Sequence, residues 1–256
     1  SLAAEAEAAA LAAAALGRTA EVVFDPADGG RLVCALGSGA ASRPGLFEAV
    51  PARRSTRGVY DGRPLAPEDL ALMEAAGTAP GVSVAMIVDP AARDRIGAIV
   101  RVASDRQVAD PAFAAELVRW LRFNAAEAVA TRDGLFAGAT GAPSLPGWMG
   151  PAVFGKVFTA RAEGRRIARQ VASSAGLAAF FAERDDPEAW TRVGRAFQRF
   201  ALQATALGVR TAHLNQPVEV AAPGMRPHLL IRFGRGPQGP ASLRRPPEAV
   251  LEAADA

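Results

Sequence analysis

The chain has 256 residues, half of them apolar and 21% charged, which excludes disordered and fibrous classes and leaves room for one large domain or two modest ones. A formal charge of +3 is too small for a protein that tracks a phosphate backbone, so no nucleic-acid partner is expected. The single Cys34 excludes a disulfide framework and a thiolate zinc site, and His213 and His228 are too few for a histidine-rich metal centre, so no metal is expected.

The apolar run Ala8–Leu16 is too short to span a bilayer, follows Glu5 and Glu7, and has no basic segment ahead of it. No membrane partner and a cytoplasmic location are therefore expected. Of the 29 basic residues only Lys156 is lysine. Genome composition accounts for such a bias, and so does a small bound phosphate, which the guanidinium fork grips bidentately.

In chain order, Ser1–Leu16 reads as an alanine-rich helix closed by Gly17. Glu21–Phe24 and Leu32–Leu36 are β-prone runs around the turn Asp28-Gly29-Gly30. Ala41–Pro44 reads as a loop and Leu46–Ala52 as a short helix that runs into Arg53-Arg54-Ser55-Thr56-Arg57.

Pro67-Glu68-Asp69 opens a helix, with proline at its first position and two acids at the positive end of its dipole, and Gly77 closes it. Val82–Val88 is a strand. Asp89-Pro90 and Asp110-Pro111 each cap a helix, the second carrying Leu117, Trp120 and Leu121 at core spacing. Asp133–Pro151 reads as a long lid or binding loop. Val153–Ala172 reads as partly helical and Leu177–Phe181 as an apolar strand. Asp186-Pro187-Glu188 starts a long helix to Leu207, closed by Gly208; Val209–Leu214 and His228–Phe233 are strands, and Arg244-Arg245-Pro246-Pro247 leads into a last short helix.

The chain echoes itself. Ala15–Ala20 parallels Ala206–Ala212, and Gly30–Gly39 parallels Arg226–Gly236, each copy reading helix, Leu-Gly, strand, loop, strand, Gly-x-Gly. Arg53–Arg57 is the sharpest local feature. Three cations and two hydroxyls in five residues suit a phosphate, and a solvated basic turn has the same composition. His213 reads either as a proton donor or as a satisfied core or strand histidine, and His228 as structural.

Ala52-Arg53-Arg54-Ser55-Thr56-Arg57-Gly58-Val59-Tyr60, followed by the helix at Pro67, resembles the opening of the FMN-dependent nitroreductase superfamily. Leu229–Gly234 followed by Arg244-Arg245-Pro246 resembles its last core strand and arginine-bearing tail. Glu116–Arg122, Arg132-Asp133-Gly134 and Asn215-Gln216 resemble the Acg-type branch, whose chains carry two such halves in tandem. One departure is that Thr78–Ser83 lacks the Asn and Gln that the family carries after its first helix.

The resemblance implies an α+β, three-layer sandwich with a mixed, mainly antiparallel sheet between helices. It divides the chain into residues 1–45, the back half of a first repeat, and 46–256, an FMN-binding domain. It implies FMN and a transient NAD(P)H as cofactors, a small-molecule acceptor, and a homodimer or a pseudo-dimer built from the repeat. Arg53, Ser55 and Arg244 or Arg245 inherit the flavin phosphate, Arg54 the ribityl chain and Arg57 the pyrimidine edge, and Arg53, Ser55, Arg57 and one of the two tail arginines are expected to converge around the phosphate. Asn215 and Gln216 inherit the place near flavin N5, where catalysis occurs, and Trp148 and Met149 either cover the flavin or anchor the loop.

The implied reaction is hydride transfer from reduced nicotinamide to an electron-poor acceptor. No Gly-x-Gly-x-x-Gly fingerprint for a resident dinucleotide follows a strand. Flavin storage with little turnover is the first alternative. A peptide-tailoring azoline dehydrogenase is the second, set against an adjacent Lys-Tyr pair that Lys156 and Tyr60 do not form.

Overall fold

The computed structural model describes residues 2–27, 30–39, 44–140, 142–220, 227–241, 243 and 245–250. The turn residues Asp28 and Gly29, the loop 41–43 and Arg244 lie outside them.

The N-terminal elements are helix α1 (Leu2–Ala15) and strands β1 (Arg18–Asp25) and β2 (Arg31–Ser38). Gly17, at φ 72°, supplies the left-handed residue that ends α1. β1 and β2 pair antiparallel in a two-stranded sheet of their own. Helix α2 (Pro44–Glu48) is shorter than the sequence suggests, because residues 49–52 turn to bring the Arg53 amide onto the Ala49 carbonyl at 2.9 Å.

The remaining elements are α3 (Pro67–Gly77), β3 (Val82–Ile87), α4 (Pro90–Ala109), α5 (Pro111–Trp120), β4 (Leu121–Arg122), α6 (Ala125–Thr131), β5 (Leu135–Phe136), α7 (Gly150–Val157), α8 (Ala160–Ala172), β6 (Gly176–Ala182), α9 (Pro187–Ala206), β7 (Arg210–His213), α10 (Gln216–Glu219) and β8 (Leu229–Gly234). Their starts are chemically marked. Asp89, Asp110 and Asp186 each accept a first-turn amide at 2.7–2.8 Å, with proline at the first helical position.

The central sheet has the order β3-β6-β8-β7 with every neighbour antiparallel. Alternate residues of β6 face opposite layers. Ala178 and Phe180 join Met73 of α3 and Phe200 of α9 on one side, while Leu177 and Ala179 join Val100 of α4 and Ile167 of α8 on the other. This is the expected three-layer α+β sandwich.

Within it, Phe180 meets Phe200 edge-on with centroids 5.4 Å apart. Helix α1 lies against α9. Glu7 reaches Arg195 and Arg199, and Leu11, Leu46, Ala49 and Leu202 form a third apolar cluster.

Two sequence expectations are corrected and a third, the partly helical Val153–Ala172, is borne out and refined. Residues 133–151 are not one open loop: β5 pairs with β4, a short 3-10 turn covers 137–140, and α7 already begins at Gly150. Val153–Ala172 is two helices, broken at Phe158 and Thr159, where the Thr159 hydroxyl caps α8 by accepting from the Ala162 amide at 3.2 Å. Trp120 is not core. It is 45% exposed on a helix with no buried residue, because α5 is amphipathic in sequence but peripheral in packing.

Candidate functional site

Residues 53–60 leave the turn after α2 and meet the outer edge of β7 at Ser55 and Thr56. Ser55 bridges Thr211 in the parallel sense, and the Thr56 amide donates to the Thr211 carbonyl at 2.9 Å. The basic motif is therefore tied to the central sheet by a single-residue bridge rather than left as a solvated turn.

Three successive carbonyls of this segment are gripped. Thr56 O accepts from the Tyr60 hydroxyl at 2.8 Å and from Arg232 Nη2 at 3.2 Å. Arg57 O accepts from Gln170 Nε2 at 2.8 Å, and Gly58 O from Arg232 Nη2 at 2.6 Å. The donors come from β8, from α8 and from the segment itself.

The chain after β8 doubles back on the same segment. Arg54 Nη1 donates to Gly239 O at 3.2 Å, Gln238 Nε2 to Ala52 O at 2.9 Å, and Arg210 Nε to Gly236 O at 3.2 Å.

Positive charge dominates here. Burial and then the Arg166 charge hold Arg57 below the usual guanidinium range, and among the described residues Arg57 forms no ion pair. Surrounding protein, then Arg57 and Arg53, push His213 down to about 4. The ring keeps a solvent-exposed side and packs its centroid 4.9 Å from that of Phe197, so the two cations are the more durable of these causes.

His213 is thus neither buried nor a core histidine. It stands at the end of β7 within the field of Arg53 and Arg57. Burial also pushes the Tyr60 phenol up to about 12, against the opposing charge of Arg232, so the phenol stays a neutral donor at working pH.

The Oγ of Ser55 is enclosed without a hydrogen-bond partner among the described residues, as is Oγ1 of Thr56. A buried hydroxyl without a partner costs stability unless something completes it. Beside cations, an acceptor-rich phosphate oxygen is the complement. The donor set therefore fits a phosphate monoester such as that of FMN.

The other expected residues are more scattered. Asn215 Oδ1 accepts from the Leu230 amide at 2.9 Å and its carbonyl receives the amides of Val218 and Glu219, so its side chain ties β7 to β8. Gln216 Oε1 is enclosed without a partner among the described residues. Arg245 is exposed, and its charge acts on Asp133, which pairs with Arg122 at 2.6 Å.

His228 is structural, with Nδ1 accepting from the Ala182 amide at 3.2 Å. Trp148 is 83% exposed. Sequence reasoning missed Arg232 and Gln170. The visible signal for Arg232 was a charge inside the apolar run Leu229–Phe233, where a strand buried on both faces ordinarily carries none.

The helix-flanked antiparallel sheet defines a nitroreductase-like fold. Over 82% of this chain it superposes on 98% of the FMN-dependent nitroreductase NfnB of Mycobacterium smegmatis, solved with NADPH, at TM-score 0.52 and 15% identity. It also superposes on 99% of a BluB-like flavoprotein of Clostridium difficile at TM-score 0.50 and 13% identity.

In sequence, the chain is 29% identical over 223 residues to provisionally named NAD(P)H nitroreductases from two strains of Mycobacterium tuberculosis. That match covers 81% of this chain and 61% of theirs, so it spans under two thirds of their length. No protein-family model matches the sequence. Among the described residues, no helix is long and apolar enough to cross a membrane, and no cluster of three His, Cys, Asp or Glu side chains is arranged to hold a metal ion.

Proposed function

We propose that the chain is an FMN-dependent oxidoreductase of the nitroreductase type, with the flavin phosphate received by Arg53, Ser55 and Arg57. The observation that carries this reading is the enclosed Ser55 hydroxyl, without a partner among the described residues, in a segment whose dominant charge is cationic. The likeness to NAD(P)H nitroreductases and the nitroreductase-like fold support it.

When bound, FMN supplies hydride transfer between reduced nicotinamide and an electron-poor acceptor. The protein's part is to bind and orient it. Arg57 and Arg53 supply charge, and Ser55 supplies a hydrogen bond. His213 is held neutral and so can accept a proton when an anion neutralises the cations beside it. Asn215 and Gln216 line the same end of β7 and are proposed for the flavin's reactive edge. Arg54 is proposed for the ribityl side, and one tail arginine, Arg244 or Arg245, to close the phosphate.

We also infer that residues 1–45 are the back half of a repeat of the domain formed by 46–256. Helix, left-handed glycine and antiparallel strand pair recur in α1-β1-β2 and α9-β7-β8, with Gly17 at φ 72° and Gly208 at φ 71°.

The visible spectrum of the purified protein and its response to anaerobic NADPH test the function. A flavin that co-purifies and bleaches on addition is expected. A bound flavin that ignores nicotinamide would overturn turnover in favour of storage, and failure to bind FMN at all would overturn the whole reading. Arg57→Ala should weaken FMN binding about tenfold to a hundredfold, from loss of a charged contact worth about 1.5–3 kcal/mol.

A further inference from the structure

We propose that Arg232, Tyr60 and Gln170 form a buried clamp on the carbonyls of Thr56, Arg57 and Gly58, and that this clamp positions the Arg53–Arg57 segment to receive a phosphate monoester. The proposal rests on the functional reading above and assigns that site three positioning residues.

Arg232 is the anomaly that leads to it. It is fully buried at 0% exposure in the middle of β8, between Ile231 and Phe233. Among the described residues it forms no ion pair, and its Nε and Nη1 have no hydrogen-bond partner. Its guanidinium instead lies over the Tyr60 ring, 4.1 Å from the centroid.

A buried cation without a carboxylate is costly, and an apolar residue of similar size would fill the same space at no such cost. Core stability therefore does not account for arginine here. Its one engaged nitrogen shows what it does, reaching Thr56 O and Gly58 O, the carbonyls on either side of Arg57.

Gln170, 6% exposed, takes the intervening carbonyl of Arg57 from α8. Arg232 reaches in from β8 and Gln170 from α8, so three successive carbonyls are held from two different elements. Donors on carbonyls 56 and 58 and a separate donor on 57 therefore fix the segment's rotation about its own axis. That rotation decides where Arg53, Ser55 and Arg57 point.

Without such a hold, neighbouring guanidinium groups would splay apart and each would lose freedom on binding. Held in advance, they receive an anion without that ordering cost. Tyr60 adds the hydroxyl on Thr56 O and the ring that carries the Arg232 charge.

Tyr60→Phe keeps the ring and removes one donor. Gln170→Leu removes another, and neither residue is placed against the ligand itself. Binding of FMN and of riboflavin, which lacks the phosphate, is measured by flavin fluorescence in each variant and the parent. FMN affinity should fall about tenfold in each variant while riboflavin affinity stays within twofold.

Unchanged FMN affinity in both variants would overturn the clamp, as would equal losses for FMN and riboflavin, which mark a general loosening. Amide exchange at Thr56 gives a readout independent of flavin. It should be faster in both variants, and unchanged exchange would refute the clamp. If the parent binds neither flavin, the functional reading fails, and the exchange result alone decides whether the clamp exists.

Discussion

The Glu7 carboxylate of α1 lies 2.7 Å from Arg195 Nε of α9, although 188 positions separate the two residues in sequence. Its other oxygen is 3.0 Å from Arg199 Nη1. Arg195 also donates to the Val22 carbonyl of β1 at 3.3 Å, and Arg199 to the Ala76 carbonyl at the end of α3 at 3.2 Å. One buried acid thus orients two arginines that join the N-terminal unit to the sandwich.

Glu7→Ala should therefore leave both arginines without their acidic partner at a largely covered interface. We expect a loss of about 2–3 kcal/mol, below the cost for a fully buried pair because Arg195 keeps some exposure. In a domain of this size that lowers the melting midpoint by roughly 5–10 °C in scanning calorimetry. A drop under about 1 °C would show that the triad does not carry the interface.

The second expectation concerns His213. Its folded-state pKa lies below the unfolded value, so the unfolded chain binds more protons between them. Its contribution to stability is complete above about pH 6.5 and is lost as pH falls toward 4. Ring NMR titration should show a midpoint near 4, rising when inorganic phosphate is added. A midpoint at the ordinary value of about 6.5 would remove His213 from the field of Arg53 and Arg57.

At lower pH, three carboxylates act together. Asp25, Asp133 and Asp186 are held below the ordinary range, first by the Ala27 amide, the Arg122 side chain and the Ala189 amide respectively. A depressed carboxylate stabilises the fold above its unfolded pKa, and that stability disappears as pH falls through the folded value. The melting midpoint should drop between about pH 4 and 2. Asp186→Asn should flatten the drop while leaving the N-cap acceptor in place. An unaltered acid limb in that variant would contradict the assignment.

Gly234 closes β8 beneath the Tyr60 ring. A Cβ there would sit 2.9 Å from Tyr60 Cδ2 and 3.1 Å from the Ala175 amide nitrogen. Gly234→Ala should destabilise by about 1–3 kcal/mol, as overpacking does, and shift the ring that carries Arg232. Near-ultraviolet circular dichroism follows that shift, since Tyr60 is the single tyrosine. An unperturbed melting curve would show that the neighbours yield without strain.

Much of the fold was legible because its cues lie within a few residues of the elements they set. Asp89-Pro90, Asp110-Pro111 and Asp186-Pro187 announced three helix starts, and Gly17 and Gly208 announced two ends. The central strands showed as apolar runs between those signals. The motif Arg53–Arg57 was visible too, as a local charge density.

What the sequence could not determine was which distant groups meet it. Amphipathic spacing made Trp120 look like core, yet spacing defines a face and not what covers it. Arg232 stood out as a charge in an apolar run, but its partners follow from β8 lying next to β7 and from Ser55 and Thr56 meeting β7's outer edge.

Gln170 and Glu7 carried no local mark at all. Caps, turns and periodicity are decided by short-range sterics and hydrogen bonds, so the sequence alone fixes them. Sheet order, register and the docking of α1 on α9 depend on contacts between segments far apart in the chain. Only the tertiary structure could decide that a basic turn would be bridged to the sheet edge and clamped, with a serine at its centre that has no hydrogen-bond partner among the described residues.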